Sequence, residues 1–160
     1  MEEQKTILMA HGGGGRLMED LIRRMIVPKF GDPGSPLTDS ASLDLPTGKI
    51  CFTTDSFVVQ PLFFPGGDIG KLAICGTVND LAVEGARPVA LSMGLIIEEG
   101  FTFENLEKIL SSAAKAAAEA GVRIVTGDTK VVEKGAADGL FINTAGIGVK
   151  IDNARIGFDR

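Results

Sequence analysis

The sequence predicts a single domain that contains both helices and strands, and three observations support this. The chain has 160 residues, which is enough for one domain with a real core. Hydrophobic residues make up 44% and charged residues 23%, both ordinary for a globular protein. Apolar residues alternate between helical and strand spacing along the chain. We therefore expect the order helix, strand, helix, strand, helix, strand, strand.

The first predicted helix follows a run of four glycines. Apolar residues recur at helical spacing between Leu17 and Ile26. We expect a helix from about Gly14 to Val27 that ends before Pro28, because proline disfavours helix in the residue before it. The next stretch, "GDPGSPLTDSASLDLPTG", is polar and rich in Pro and Gly, which predicts a loop. The apolar "KICFTTD" then predicts the first strand.

The remaining elements have clearer ends. "IGKLAICGTVNDLAVEGA" predicts a helix with Asp68 as its N-cap, and "RPVALSMGLIIEE" predicts a strand. "TFENLEKILSSAAKAAAEAG" predicts an alanine-rich helix between Thr102 and Gly121. Two strands, "VRIVTGDTKVVE" and "GLFINTAGIGVK", complete the set. The last ten residues are polar without a period, so we expect a domain over 1–150 and, over 151–160, a linker to a further domain.

Composition and motifs exclude several classes of function. The net charge of −5 disfavours non-specific nucleic-acid binding, which needs cationic contacts to phosphate. We expect no signal peptide and no membrane association, since no apolar run is long enough to span a bilayer. Cys51 and Cys75 lack metal-like spacing, which favours a reduced, cytoplasmic protein. Rossmann and P-loop sites are disfavoured, because neither glycine motif follows a first strand.

Four aspartates lie beside small polar residues, at loops or at the ends of apolar runs. They are Asp39, Asp55, Asp80 and Asp128. Hard divalent cations such as Mg²⁺ prefer oxygen ligands, and nucleotide sites often hold Mg²⁺ with a few carboxylates plus phosphates. Each aspartate taken alone is better explained as a cap of a turn or helix. Four of them in similar contexts make a metal cluster a competitive interpretation.

The glycine run before the first helix predicts an anion site, because free backbone N–H groups and the positive helix end would face a phosphate. A flexible entry loop is the alternative interpretation. Three cationic residues are candidates for phosphate contacts: Arg16, Lys71 and Lys130. Arg16 is the one most simply explained as solvent-exposed. His11 is the chain's one histidine; it is either an acid–base group or a plain loop residue.

Three long stretches, taken together, resemble a known family. They are "HGGGGRLM", "FTTDSFVVQPLFFPGGDIGKLAICGTVNDLAVEGARPVALSMGLIIEEG" and "GVRIVTGDTKVVEKGAADGLFINTAGIG". They are similar to the N-terminal half of the HypE family of hydrogenase maturation proteins, within the aminoimidazole ribonucleotide (AIR) synthetase-like, or PurM-like, superfamily. The resemblance implies an α+β fold: a mixed sheet of about four strands with helices on one face. It also implies a homodimer in which two sheets close into a barrel near the nucleotide.

The resemblance implies an ATP and Mg²⁺ site. The metal-binding residues would be Asp55, Asp80 and Asp128, with Asp39 as the loosest match because relatives often have two adjacent acids there. The residues around ATP would be Gly12, Gly13, Gly14, Gly15, Thr53, Thr54, Asp55, Lys71, Asn79, Asp80, Gly127, Asp128, Thr129 and Lys130. The glycine segment would be a mobile loop over the phosphates. Lys130 and Asp80 would be the catalytic residues.

The implied activity is ATP-dependent dehydration of a carbamoyl group. In the family, an S-carbamoyl cysteine at the C-terminus becomes a thiocyanate that supplies cyanide to NiFe hydrogenase. Neither Cys51 nor Cys75 matches that acceptor, so we expect this chain alone to be inactive. The implied partners are the carbamoyltransferase HypF and the HypC–HypD iron-scaffold complex. The alternatives are another ATP-dependent enzyme of the superfamily, or a non-catalytic dimerisation or binding module.

Overall fold

The structure, a computed structural model, describes residues 5–31, 34, 37–38 and 40–152. The helices are α1 (Arg16–Leu21), α2 (Val27–Phe30), α3 (Ile69–Val83) and α4 (Phe103–Ala120), with a 3-10 turn at Met9–Gly12. The strands are β1 (Ile50–Phe57), β2 (Phe63–Phe64), β3 (Gly67–Asp68), β4 (Ala86–Glu98), β5 (Arg123–Val132) and β6 (Leu140–Lys150). Within these described ranges, every helix is too short or too polar to cross a bilayer.

The centre of the fold is a mixed four-stranded sheet in the order β1-β6-β4-β5. β6 pairs antiparallel with both β1 and β4, whereas β4 and β5 are parallel. α4 makes the crossover between those two parallel strands, as such a connection requires. The short strands β2 and β3 form a separate hairpin before α3. The expected α+β fold with a four-stranded mixed sheet is confirmed.

α3 and α4 cover one face of the sheet and form the core with it. The largest fully buried apolar side chains are Ile7, Ile69, Ile74, Leu81, Leu91, Ile97, Leu106, Ile109, Leu110, Leu140 and Ile142. Side chains on the opposite face, here called the open face, remain accessible in the single chain. Phe52 on β1 is 68% exposed and Ile96 on β4 is 41% exposed. An uncovered apolar sheet face is unusual for a monomer.

The ends of α3 and α4 follow the capping rules read from the sequence. The Asp68 carboxylate accepts hydrogen bonds from the backbone N–H groups of Gly70 (2.8 Å) and Lys71 (3.0 Å). The Thr102 hydroxyl accepts one from Asn105 N–H at 3.2 Å. Gly121 ends α4 in the left-handed region, with φ of 66°. Both predicted helices are confirmed.

The N-terminal helical segment runs further than the sequence predicts. Helical backbone continues from α1 through a π-helical turn at Ile22–Ile26 into α2. The N–H of Val27 bonds to the carbonyl of Ile22, five residues back. Pro28 lies in the first turn of α2, where its missing N–H is tolerated. The expected end before Pro28 was therefore wrong. After the π-helical turn a new α-helix begins at Val27, so Pro28 occupies a first-turn position that proline tolerates.

Candidate functional site

Three of the predicted site residues come together at the β1 edge of the sheet. Side chains alternate along a strand, so Thr53 and Asp55 both face α3. The Thr53 hydroxyl donates a hydrogen bond of 2.9 Å to Oδ2 of Asp80, which lies in the last turn of α3. Oδ2 of Asp55 lies 3.6 Å from where a Cβ on Gly76 would be, so this carboxylate also reaches the helix.

Thr53 and Asp80 border an open cleft of about 440 Å³. Its lining includes Cys51, Thr53, Asp80 and Glu84. Asp55 and Asp80 are both exposed, and Oδ1 of Asp55 accepts the N–H of Ser56 at 2.8 Å. The Asp80 carboxylate and the Thr53 hydroxyl at this cleft, with the accessible Asp55 carboxylate on the same face of β1, are an oxygen-rich donor set that suits a hard cation.

A second group of predicted residues lies on β5. Asp128 pairs in register with Gly94 of β4 and lies on the open face. Lys130 lies two residues on, and its Nζ is 3.5 Å from Asp128 Oδ1. Both side chains are more than half exposed, so the pair contributes little to stability. Thr129 points the other way and is 3% exposed, in the core.

Position 127 on β5 has room for glycine but not for a residue with a side chain. A Cβ at this position would overlap the carbonyl oxygen of Met93 on β4. The neighbouring Asp128 accepts the N–H of Thr129 on its own Oδ1, at 2.9 Å. The "TGDTK" segment is thus part of an edge strand on which Asp128 and Lys130 are exposed and Thr129 is buried.

The glycine run lies against the same edge. Gly12 packs on Val131 of β5 so closely that a Cβ would lie 2.5 Å from the Val131 nitrogen. Gly13, Gly14 and Gly15 are exposed and lead into α1. Gly14 has φ of 73°, which glycine adopts without strain. The predicted phosphate loop therefore neighbours Asp128 and Lys130, here called the β5 group, rather than Thr53, Asp55 and Asp80, here called the β1 group.

A cleft of about 370 Å³ separates the N-terminal helical segment from β5. One wall is apolar and comes from Met18, Ile22, Ile26 and Phe30, among others. The other wall is β5, including Thr126, Gly127, Asp128 and Thr129. Asp128 thus borders a different, half-apolar cleft from the one that Asp80 borders.

The two groups are far apart within one chain. β1 and β5 are the opposite edges of the sheet, three strand spacings or about 14 Å apart. They also differ in direction, since Asp55 faces the helices and Asp128 the open face. In the described part of the chain, no three potential ligands of the His, Cys, Asp and Glu types lie together. Asp39 lies outside the described residues. The metal site built from all four aspartates therefore stays a prediction. Within one chain, Asp55 and Asp80 lie together, whereas Asp128 lies at the opposite edge of the sheet.

The remaining predicted residues lie apart from these groups or at their margins. Lys71 is in the first turn of α3, and its Nζ donates to the Gly66 carbonyl at 3.0 Å. It precedes Asp80 by nine residues in the same helix, about 14 Å along the axis. Asn79 is exposed beside Asp80. The Thr54 hydroxyl donates to the Thr144 carbonyl at 3.0 Å, across the strand pair.

Two residues differ from what the sequence indicated. His11 is buried, with Nδ1 accepting the Leu8 N–H at 3.0 Å and its ring edge-on to Phe103. A structural role therefore explains it. Asn143 was missed: its side-chain amide donates to the Asp55 carbonyl and the Ser56 hydroxyl, both at 2.9 Å. The signal was a polar residue within the apolar run "LFINTAGIG".

Comparisons with known proteins agree on one family. Residues 37–150 match the family described as AIR synthase related protein, N-terminal domain. Carbamoyl dehydratase HypE of Rhodobacter capsulatus is 54% identical over 149 residues, which are 91% of this chain and 44% of that protein. The chain therefore spans less than half the length of this curated relative.

The solved structures that are similar to this chain include two that bear on its site. The crystal structure of hydrogenase maturation protein HypE in complex with ATP is 52% identical, with a TM-score of 0.86 over 91% of this chain and 44% of that one. HypE in a crystal structure of the HypE–HypF complex is 66% identical, with a TM-score of 0.64 over 64% of this chain and 34% of that one.

Proposed function

The chain belongs to the AIR synthase related protein, N-terminal domain family, and from this premise we propose that it is the ATP- and Mg²⁺-binding part of a HypE-type carbamoyl dehydratase. The observation that carries the proposal is the Thr53–Asp80 contact in a cleft, with Asp55 on the same face of β1, in a domain 54% identical to such an enzyme. A related protein of the same fold was solved with ATP.

The donor chemistry of the β1 group fits Mg²⁺. Asp55 and Asp80 supply carboxylate oxygens, and Thr53 orients one of them by hydrogen bonding. Mg²⁺ usually takes one or two protein carboxylates and completes its shell with water and phosphate, so a complete protein cage is not required. When bound, the ion would neutralise charge on the phosphates of ATP.

The proposed reaction joins the carboxamide oxygen of an S-carbamoyl cysteine to the γ-phosphorus of ATP. The bond from that phosphorus to the β-γ bridging oxygen breaks, ADP leaves, and the amide nitrogen releases one proton as the C=N bond forms. Loss of phosphate and a proton from the resulting iminophosphate gives the thiocyanate. The protein's task is positioning and charge neutralisation. We assign the ammonium group of Lys130 to contact the phosphoryl group as it is transferred. The Asp128 carboxylate, 3.5 Å from that ammonium, would keep it in position.

We also propose that the site is completed across a homodimer. The open face is the surface that two sheets would bury on closing into a barrel, which also removes exposed edges. A two-fold axis along such a barrel puts β5 of one copy beside β1 of the other. Asp128 and Lys130 would then lie next to the partner subunit's Asp55 and Asp80 across the seam between the two strands, and a ligand held in that seam would contact both groups. This arrangement accounts for the separation of the two groups in one chain.

HypF is the partner that we propose for the carbamoyl transfer before dehydration, since a HypE related to this chain was solved with HypF. The HypC–HypD complex stays a prediction from the resemblance. Cys51 and Cys75 are both free thiols, which supports our placing this chemistry in the cytoplasm.

Calorimetry on the full-length protein tests the ATP site. Asp80→Asn keeps the size of the side chain but removes a charge, so Mg-ATP affinity should fall at least about tenfold. Asp138→Asn, in the exposed loop between β5 and β6, is the matched control and should bind as the wild type does. Unchanged affinity in Asp80→Asn would show that the site assignment is wrong.

A further inference from the structure

Burial of apolar surface does not by itself fix how α3 is rotated about its axis. The helix carries apolar residues on every side. Ile74 and Leu81 are fully buried, whereas Leu72 is 38% exposed and Val83 is 62% exposed. A helix that is apolar all round lacks the single stripe that normally selects its buried face. Something else must specify which residues of α3 meet the sheet.

A buried pair of hydroxyls lies at the contact between α3 and β6. Thr77 of α3 and Thr144 of β6 are both 0% exposed, and their Oγ1 atoms are hydrogen-bonded to each other. Oγ1 of Thr144 also lies 3.5 Å from the carbonyl oxygen of Ala73, one turn before Thr77. Buried hydroxyls without a partner are costly, so this pair favours one rotation of the helix over its neighbours.

Small residues let the helix approach the sheet closely around this pair. A Cβ on Gly146, two residues after Thr144, would lie 2.8 Å from Cγ2 of Thr77 and 3.1 Å from Cδ1 of Leu81. A Cβ on Gly76 would lie 2.8 Å from the ring of Phe57. Because the helix and the sheet are this close, a change in the size or polarity of the hydroxyl pair would be felt across the interface.

The hydroxyl pair is also adjacent to both carboxylates of the β1 group. Thr144 is the cross-strand partner of Asp55. Thr77 precedes Asp80 by three residues, which makes the two neighbours on the helix surface. A side chain about 5.5 Å from the helix axis moves about 2 Å for a 20° rotation. That displacement is enough to break the 2.9 Å contact between Thr53 and Asp80.

We propose that Thr77 and Thr144 are a positioning pair, whose mutual hydrogen bond sets the rotation of α3 so that Asp80 stands beside Thr53 and Asp55. The inference rests on the proposed function for what the carboxylates bind. The two threonines do not touch the ligand. They act through Asp80.

Two double variants of the full-length protein separate positioning from plain stability. Thr77→Val with Thr144→Val keeps the shape and removes both hydroxyls, which is close to neutral for folding. Thr77→Ser with Thr144→Ser keeps the hydrogen bond and removes two buried methyl groups, which destabilises the core. Ile142→Val on the same strand is the control for lost packing alone.

The valine and serine pairs are expected to differ in opposite ways in stability and in Mg-ATP affinity. The valine pair should unfold close to the wild type in urea, yet bind Mg-ATP about tenfold more weakly in calorimetry. The serine pair and Ile142→Val should be less stable but keep their Mg-ATP affinity. Wild-type affinity in the valine pair, or a loss that follows stability across the three variants, would overturn the inference.

A crystal structure of the valine pair tests the same inference without any ligand. Loss of the Thr53–Asp80 contact supports the positioning role, and its retention overturns that role. If the wild type shows no Mg-dependent heat, the proposed function fails, while the crystal structure still decides whether the hydroxyls position Asp80.

Discussion

At the scale of single residues, the contact between Thr53 on β1 and Asp80 on α3 depends on the absence of a side chain at Gly76. Gly76 faces Phe57, which is buried at 7% exposure, and the Asp55 carboxylate lies just beyond. Any side chain at 76 would push α3 away from β1. The glycine therefore lets the helix carry Asp80 up to the strand.

Gly76→Ala is expected to destabilise the protein despite alanine's better helix propensity. The propensity favours the variant by about 1 kcal/mol. Overpacking against the Phe57 ring costs about 1–3 kcal/mol. We expect a net loss of about 1 kcal/mol in urea unfolding, together with weaker Mg-ATP binding.

Adding Phe57→Leu to Gly76→Ala is the matched test of that cause. The smaller side chain makes room for the new methyl group, so the double variant should lose less stability than the two single changes predict together. Additive losses would show that the Phe57 contact is not the reason.

At the scale of elements, the loop between β5 and β6 is held by one carboxylate. Glu98, at the end of β4, accepts the N–H groups of Gly135 at 2.9 Å and Gly139 at 3.2 Å. These hydrogen bonds, first that from Gly135 and then that from Gly139, lower the pKa of Glu98. The loop is therefore tied to the end of the central strand by an ionised group.

The contribution of Glu98 to the free energy of unfolding should depend on pH. Because its folded-state pKa is lowered, the contribution is complete above the unfolded value of about 4.3 and is lost as pH falls through the folded value. Glu98→Gln should unfold more readily than the wild type at pH 7, and the difference should shrink towards pH 3. Urea unfolding at several pH values measures it.

Glu133→Gln in the same loop is the control, since its exposed side chain shows no such pair of backbone contacts. A Glu98→Gln difference that stays constant from pH 7 to pH 3 would contradict the ionic role of the contact.

Element types were largely predictable from the sequence, whereas their spatial order was not. The caps at Asp68 and Thr102 and the turn at Gly121 are local rules, and the structure follows them. β6 is the last strand in the chain, yet it lies between β1 and β4. No local pattern encodes that insertion. It explains why four similar-looking aspartate motifs did not reveal that Asp55 and Asp128 lie at opposite edges.

At the scale of the whole molecule, the open face predicts self-association. Phe52→Asp puts a charge on the surface that would be buried in the proposed dimer, so the dimer should dissociate into monomers in sedimentation experiments. Leu72→Asp places the same charge on the solvent-exposed side of α3, on the helix-covered face of the sheet. Because that surface is not buried in the proposed dimer, this variant should remain dimeric. A wild type that is monomeric at every accessible concentration would refute the proposed dimer.

The distance between the β1 and β5 groups also has a genetic consequence. A copy with Asp80→Asn and a copy with Asp128→Asn are each inactive as homodimers in the proposed arrangement. In a mixed dimer, one composite site carries both substitutions and the other carries neither. Random assortment then leaves about a quarter of all sites intact. Two alleles that each fail alone should therefore complement each other in one cell, whereas a site built within single subunits would show no such rescue.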